Sequence, residues 1–228
     1  TMRNIVLNFI MNIIDKSWAY STVSYSQEGE DIVLLNTLED SKKGFYVDVG
    51  AHHPFRFSNT YLFYQRGWNG MNIDATPGSM ALFNKYRSRD INLEIPVSIK
   101  SKRQTYYIFD ESALNSFSKN ISEERNVITK YNLVKKIMLQ PYKLSKIFDM
   151  YLPRNINIDF LSVDTEGKDY EVLISNNWNK YRPTYILVEI LDVNIKNLTE
   201  SKIYTYLSNK LYSAIAITGR TVIFKTET

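Results

Sequence analysis

The sequence predicts an α/β protein with an open, mostly parallel sheet, helices on both faces and a C-terminal antiparallel hairpin. Three observations predict this class. The run Gly44–Ala51 alternates in polarity, is rich in β-branched and aromatic residues, and stops at a glycine, as a strand ends at a sheet edge. Tyr185–Ile190 is apolar almost throughout, which is typical of a parallel strand covered on both faces. Leu211–Thr218 and Thr221–Lys225 flank Gly219-Arg220, which suits a two-residue hairpin turn.

Helix signals and further strands alternate between these runs. Ser26, Gly29 and Glu30 indicate a helix start with acids in its first turn, Gly67 a helix end, and Thr76–Ser79 the opening of another helix. The predicted strands are 44–51, 71–75, 92–99, 105–109, 137–139, 158–164, 185–190, 211–218 and 221–225. The predicted helices begin at 26, at 58 or 59, at 76, within 119–136, and at 144, 169 and 200.

Length and composition favour one domain. The chain has 228 residues, 44% of them hydrophobic, and it shows no internal repeat and no linker. We expect a single domain over 25–228, preceded by an N-terminal helical segment, 1–24, that packs on it. The apolar run Ile5–Ile14 is interrupted by asparagines and is too short to span a bilayer, so no transmembrane segment is predicted.

Charge and cysteine content narrow the function classes. The net charge is +4, and the basic residues are scattered among acids, so no nucleic-acid partner is expected. The chain has no cysteine, which excludes disulfides and thiolate metal sites and is compatible with the cytoplasmic location that we expect.

Gly50 and Asp74 predict a nucleoside site. A glycine at the carboxyl end of a strand lets the chain turn and a ligand approach, and Asp74 follows at close to the ~20-residue spacing of a ribose-binding acid. The residues after Gly50 lack the G-x-G-x-x-G cradle for a pyrophosphate, so S-adenosylmethionine fits better than a dinucleotide. The alternative is that Gly50 only ends a strand and Asp74 only caps a helix.

Acids recur at predicted strand ends. Asp48, Asp74, Asp164 and Glu189 should meet at one sheet edge, because helical crossovers bring parallel carboxyl ends together. One hypothesis is that Asp164 or Glu166 is a general base for a hydroxyl. A second is a Mg or Mn site formed by Asp164, Glu189 and Asp192, and a third is that Asp164 and Glu166 only cap the next helix.

Four other side chains are candidates at the same edge. Gln27 or Glu30 should lie over the ligand, because their helix leads into the first strand. His52 and His53 are the only histidines, and adjacent residues cannot both face one way on a regular element. They are therefore predicted to lie in a loop at the pocket mouth, where one of them could serve the substrate or act as a base.

Taken together, five motifs resemble the FkbM family of S-adenosylmethionine-dependent methyltransferases. The resemblance implies a class I methyltransferase fold with a Rossmann-like seven-stranded sheet, and methyl transfer, usually to a hydroxyl of a sugar or natural product. The motifs are S-Q-x-G-E-D at 26–31, F-Y-V-D-V-G-A-x-x-P at 45–54, S-N-T at 58–60, G-W-x-G-x-N-I-D-A at 67–75 and D-x-E-G at 164–167.

The resemblance also implies roles for individual residues. His52 stands where relatives often have asparagine, and 119–156 matches no family pattern, which makes it the expected acceptor-side insertion. The implied roles are Asp48, Gly50 and Ala51 for the methionine part, Asp74 for the ribose, Ala75 and Thr76 for the adenine, Gln27 and Asn59 for the amino-acid end, and Asp164 and Glu166 for the reaction centre.

The expected activity is therefore O-methylation of a sugar in a glycan or polysaccharide, and glycosyltransferases are the expected fusion or functional partners. Two other interpretations stay open. One is a small-molecule or N-methyltransferase. The other is a non-catalytic nucleoside-binding module of a larger carbohydrate-modifying protein.

Overall fold

A computed structural model describes residues 22–38 and 43–227. Helices and strands alternate through most of this part of the chain, as the sequence predicts. The helices are α1 (Glu30–Thr37), α2 (Tyr61–Gln65), α3 (Met80–Tyr86), α4 (Lys119–Ile128), α5 (Leu144–Tyr151), α6 (Asp169–Ile174) and α7 (Lys202–Ser208). The strands are β1 (Phe45–Val49), β2 (Asn69–Asp74), β3 (Ile91–Glu94), β4 (Gln104–Phe109), β5 (Leu133–Leu139), β6 (Phe160–Val163), β7 (Tyr185–Glu189), β8 (Tyr212–Thr218) and β9 (Thr221–Thr226).

Seven strands form one sheet in the order β3-β2-β1-β6-β7-β9-β8. The first five are mutually parallel, and β9 and β8 run antiparallel at the far edge. The sequence-based prediction of a Rossmann-like sheet with a terminal hairpin is confirmed. The order reverses between β1 and β6, so ligand-binding residues are expected where these two strands end.

Both faces of the sheet are covered. Every residue of β1 and β7 is buried, and alternate side chains of β1 enter different clusters. Val47 packs with Met71 in the larger cluster, whereas Tyr46 packs with Phe160 in the smaller one. This two-sided burial explains why Tyr185–Ile190 is apolar nearly throughout rather than alternating.

Several predicted boundaries shift for local reasons. The strand predicted at 92–99 ends at Glu94, two residues before Pro96, which has no backbone donor for a ladder. The helix predicted from Ser26 starts at Glu30, because Gly29 adopts φ +88 and Ser26 instead donates a hydrogen bond to Asp31. The helix predicted from 58 or 59 starts at Tyr61.

The fourth predicted strand lies outside the main sheet. β4 pairs antiparallel with β5 in a separate two-stranded ribbon that contains Lys135 and Lys136. A single parallel bridge from Val97 to Tyr142 connects the ribbon's base to the segment after β3. The ribbon therefore stands beside the β3 edge of the sheet.

The predicted segment 1–24 falls almost entirely outside the described residues. Within the part that the structure describes, no helix is long and apolar enough to cross a membrane. The single-domain organisation and the cytoplasmic location stay predictions.

Candidate active site

A cavity of about 900 Å³ opens at the carboxyl ends of β1, β2 and β6. Strand ends supply its floor, and the loops that follow them supply its walls. Most of the side chains predicted from the sequence meet here. Those lining the cavity are Gln27, Asp48, Gly50, Ala51, His52, Asn59, Asp74, Ala75, Thr76, Asp164 and Glu166.

Gly50 forms the sharp turn at the centre of the floor. Its φ is +85, and its N–H donates to the main-chain oxygen of Ile73 at 2.9 Å. A Cβ at this position would overlap the main-chain oxygen of Asp164. Glycine is thus required at position 50 for two reasons. The chain at the end of β6 comes too close to leave room for a Cβ, and the backbone adopts a positive φ.

Asp74 orders two loops of the cavity wall. Its carboxylate accepts hydrogen bonds from the N–H of His52 at 3.0 Å and the N–H of Thr76 at 2.7 Å. It is buried but still lines the cavity. The capping alternative thus describes part of its role, and the carboxylate lone pairs that remain can accept from a ligand hydroxyl.

Asp48 lies at the end of a buried polar network. Thr60 donates to its carboxylate at 3.0 Å, and the fully buried guanidinium of Arg87 donates to the Thr60 hydroxyl at 3.0 Å. Arg87 also forms an ion pair with Asp90 at 2.9 Å. Burial raises the pKa of Asp48 to about 6, and the nearby guanidinium opposes that shift.

An aromatic pair forms the far wall: the sequence predicts that the segment 110–118 lies beside the base or the substrate, but it singles out neither ring. The rings of Tyr106 and Phe117 lie 4.6 Å apart between centroids. The hydroxyls of Tyr106 and Thr76 are 2.9 Å apart, and Asn115 donates to the Thr76 hydroxyl at 3.2 Å. Flat rings beside amide and hydroxyl groups suit an adenine. Tyr106 belongs to β4 and Phe117 to the connection between β4 and α4, where no strand-end pattern marks them.

The turn after β6 is held by a residue that was not predicted as part of the site. Asp169 accepts hydrogen bonds from the N–H groups of Thr165 at 2.7 Å and Gly167 at 3.2 Å. Asp169, rather than Asp164 or Glu166, therefore caps this turn. Glu166, at φ 54, forms an ion pair with Arg125 of α4.

Three carboxylates converge beside this turn. Oxygens of Asp164, Glu166 and Glu189 lie within 4.8 Å of one another. Asp164 is exposed where it opens to the cavity, but the surrounding protein partly desolvates its carboxyl group, and this desolvation, with the charges of Glu189 and Glu166, raises its pKa well above the usual range. Burial, followed by the charge of Glu166, raises the pKa of Glu189 to about 8. Asp192 is exposed and lies outside this group.

The two histidines diverge, as predicted for a loop. His53 accepts from the N–H groups of Phe55 and Arg56, each at 3.1 Å, and does not line the cavity. His52 lines it at φ 52, and its buried Nε2 has no hydrogen-bond partner among the described residues. Burial lowers the pKa of His52, so a neutral ring lines the cavity, with one buried nitrogen that has no partner among the described residues.

A smaller recess of about 300 Å³ adjoins the cavity on the β7 side. Gln27, Phe57, Asn59 and Asp164 line both spaces. The residues that line the recess alone are Glu28, Glu30, Glu189, Arg220 and Thr221.

The first motif holds one wall of that recess. Asp31 is fully buried and accepts hydrogen bonds from the Ser24 hydroxyl at 2.6 Å, the Tyr25 N–H at 2.8 Å and the Ser26 hydroxyl at 2.8 Å. These bonds fix the segment that carries Gln27 over the cavity.

The family profile described as Methyltransferase FkbM domain matches residues 48–213. The chain belongs to the FkbM methyltransferase family. The match runs from Asp48 in β1 into β8, and so includes the floor of the cavity. No curated protein matches the sequence.

The residues of this FkbM protein fit the donor that the family implies. Acidic groups at Asp48 and Asp74 suit an amino group and ribose hydroxyls, and the Tyr106–Phe117 wall suits adenine. The unpaired Nε2 of His52 lies buried at the same cavity. S-adenosylmethionine, when bound, supplies a methyl group on a positively charged sulfur, and the carboxylates at the strand ends favour such a charge.

Proposed function

We propose that this protein is a S-adenosylmethionine-dependent O-methyltransferase that acts on a sugar hydroxyl of a glycan or polysaccharide. The observation that carries the proposal is the position of Asp164, whose side chain lines both the cavity and the recess. A base at that junction can serve an acceptor in one space and a donor in the other.

Asp164 is suited to be the general base. A sugar hydroxyl is a weak nucleophile until its proton is removed, and a base works best when its pKa lies near the working pH. Partial desolvation of the Asp164 carboxyl group and its like-charged neighbours raise its pKa in that direction. The carboxylate would take the hydroxyl proton as the oxygen bonds to the methyl carbon, and the bond from that carbon to sulfur would break and release neutral S-adenosylhomocysteine. The rest of the site aligns the reactants.

Three features support a hydroxyl-bearing acceptor. The recess wall is almost entirely polar, so it offers many hydrogen-bonding groups to a polyol. The exposed ring of Phe57 provides an apolar surface against which a sugar ring can pack. The family resemblance points to sugars and natural products as acceptors.

A divalent cation is a second way to activate the hydroxyl. The oxygens of Asp164, Glu166 and Glu189 are close enough together to hold Mg or Mn, and such an ion lowers the pKa of a bound hydroxyl. Arg125 and Arg220 already balance charge in this group, which favours the base alternative.

The first experiment is calorimetric titration of S-adenosylmethionine and S-adenosylhomocysteine, followed by transfer of a labelled methyl group to glycan acceptors. Binding of both ligands with transfer to a sugar oxygen is the expected result. Absence of ligand binding, or transfer only to amines, would reject the proposal. Repeating the transfer with a chelator, and then with added Mg or Mn, separates the base from the cation: activity that persists in the chelator favours Asp164 alone.

A further inference from the structure

The wall of the recess next to Asp164 is strongly acidic. Glu28, Glu30, Asp164 and Glu189 bring four carboxyl groups to it, against the single guanidinium of Arg220. The recess therefore stays negative even when one of these carboxyl groups holds a proton. An anionic ligand would be repelled here, whereas hydroxyl groups can donate hydrogen bonds to the carboxylate oxygens.

One buried group points to a missing ligand. Glu189 is 5% exposed, and its Oε2 has no hydrogen-bond partner among the described residues. Its other oxygen lies 3.5 Å from Arg220. A buried polar atom without a partner is unfavourable, and a ligand hydroxyl in the recess would supply that partner.

The ring of Phe57 lies between the cavity and the recess, and the backbone of this residue is strained. Phe57 lines both spaces, is 43% exposed and adopts φ 56, a region that bulky residues rarely occupy. The guanidinium of Arg56 lies 4.5 Å from the ring centroid, and the His52 ring stacks at 6.3 Å on an interplanar angle of 20°. Strain of this type persists where neighbouring structure holds a residue in a functional position.

Two segments that lie far apart in the sequence, one containing Glu28 and the other the hairpin turn at Gly219 and Arg220, form the remaining walls of the recess. Glu28 accepts from the N–H of Arg220 at 2.8 Å, and its carboxylate sits where a side chain on Gly219 would be. The hairpin turn thereby holds the Glu28 wall in place. Thr221 completes this side and does not reach the donor cavity.

We propose that this recess is the acceptor subsite, and that it takes a neutral, polyhydroxylated sugar ring and rejects anionic sugars such as uronic acids. The proposal rests on the proposed function. One face of the ring packs on Phe57, its hydroxyls donate to Glu189 and Glu28, and the hydroxyl to be methylated faces Asp164.

The test separates donor binding from acceptor binding. The protein is saturated with S-adenosylhomocysteine, and saturation-transfer NMR measures binding of neutral methyl hexopyranosides and of the matched methyl glucuronoside. The variants are Thr221→Phe, which fills the recess, and Phe57→Ala, which removes the ring. Matched controls are Thr105→Phe, a strand threonine of β4 outside both linings, and Tyr151→Ala, whose ring is 40% exposed at the end of α5.

We expect neutral glycosides to bind the wild-type protein and the glucuronoside not to bind. Thr221→Phe should abolish the glycoside signal with its affinity for S-adenosylhomocysteine unchanged, and Phe57→Ala should weaken glycoside binding by about tenfold or more. Both controls should behave as wild type. If neutral glycosides fail to bind, if the glucuronoside binds as well, or if Thr221→Phe leaves the signal intact, the subsite is wrong although the donor site stands. Failure to bind S-adenosylhomocysteine in the wild type rejects the proposed function itself, and the subsite with it.

Discussion

The main-chain oxygen of Asp164 occupies the position where a side chain at residue 50 would begin. The first strand of the site and the strand that carries the proposed base therefore meet backbone to backbone, with Gly50 as the contact. The N–H of Asp164 in turn donates to the main-chain oxygen of Val49 at 3.0 Å. Donor floor and reaction centre are held together by this contact.

Replacing Gly50 should move the end of β6 away from the end of β1. Gly50→Ala forces the β6 end away and also strains a backbone at φ +85, so we expect a loss of at least about 2 kcal/mol in unfolding free energy and no binding of S-adenosylhomocysteine. Urea unfolding and calorimetry measure the two effects. Gly78→Ala is the matched control, because Gly78 has φ +86 but open space around it; it should lose only about 1 kcal/mol and keep binding. Equal effects of the two substitutions would contradict the close approach.

Asp74 should be required for donor binding. Asp74→Ala removes the carboxylate that faces the ligand space and also releases the N–H groups of His52 and Thr76. We expect calorimetry to show affinity for S-adenosylhomocysteine reduced by about tenfold or more. Asp149→Ala, on the exposed side of α5, is the control and should bind normally. Unchanged affinity in Asp74→Ala would assign this acid a capping role only.

Asp164 should set the pH dependence of methyl transfer. A base acts in its deprotonated form, so the wild-type rate should rise with pH through the raised pKa of Asp164. Asp164→Asn should lower the rate by about 10²–10⁴-fold and leave affinity for S-adenosylhomocysteine near that of wild type. Asp149→Asn serves as control. A pH–rate profile that keeps its shape and height in Asp164→Asn would remove this residue as base and as cation ligand.

Asp48 should make the fold less stable as the pH rises. Its pKa is raised to about 6 in the folded protein, so the folded state binds more protons than the unfolded state between about pH 4 and 6. Stability from this group is present below that window and is lost as pH rises through it, by up to about 3 kcal/mol. Asn at this position carries no charge, so the stability of Asp48→Asn relative to wild type should increase from pH 4 to 7 in urea unfolding. Asp110→Asn should change in the opposite direction, because hydrogen bonds from Asn132 lower the pKa of Asp110.

The strand-end acids could be predicted because their position follows from a general rule. Asp48, Asp74 and Glu189 lie at the ends of parallel strands, and the topology brings such ends to one edge whatever the loops do. The divergence of His52 and His53 followed from geometry in the same way.

Three further residues of the site could not be predicted, because no periodic pattern marks them. Phe57 and Arg220 reach the site from a loop and a hairpin turn, and Arg125 reaches Glu166 from α4. Sequence reasoning expected 119–156 to serve the acceptor. Arg125 brings this segment beside the reaction centre, and its role with the acceptor stays a prediction. Asp192 follows β7 and suggested a cation ligand, but the positive φ of 60 there marks a turn in which this residue is exposed.

The position of β9 between β7 and β8 affects the order in which the two parts of the site are completed during synthesis. Every residue that lines the larger cavity has been synthesised once Lys168 has been added, whereas Arg220 and Thr221 follow more than fifty residues later. Until β9 pairs with β7, the recess has no outer wall and β7 is an open sheet edge. The residues of the proposed donor floor are thus synthesised first, and those that complete the proposed acceptor subsite last.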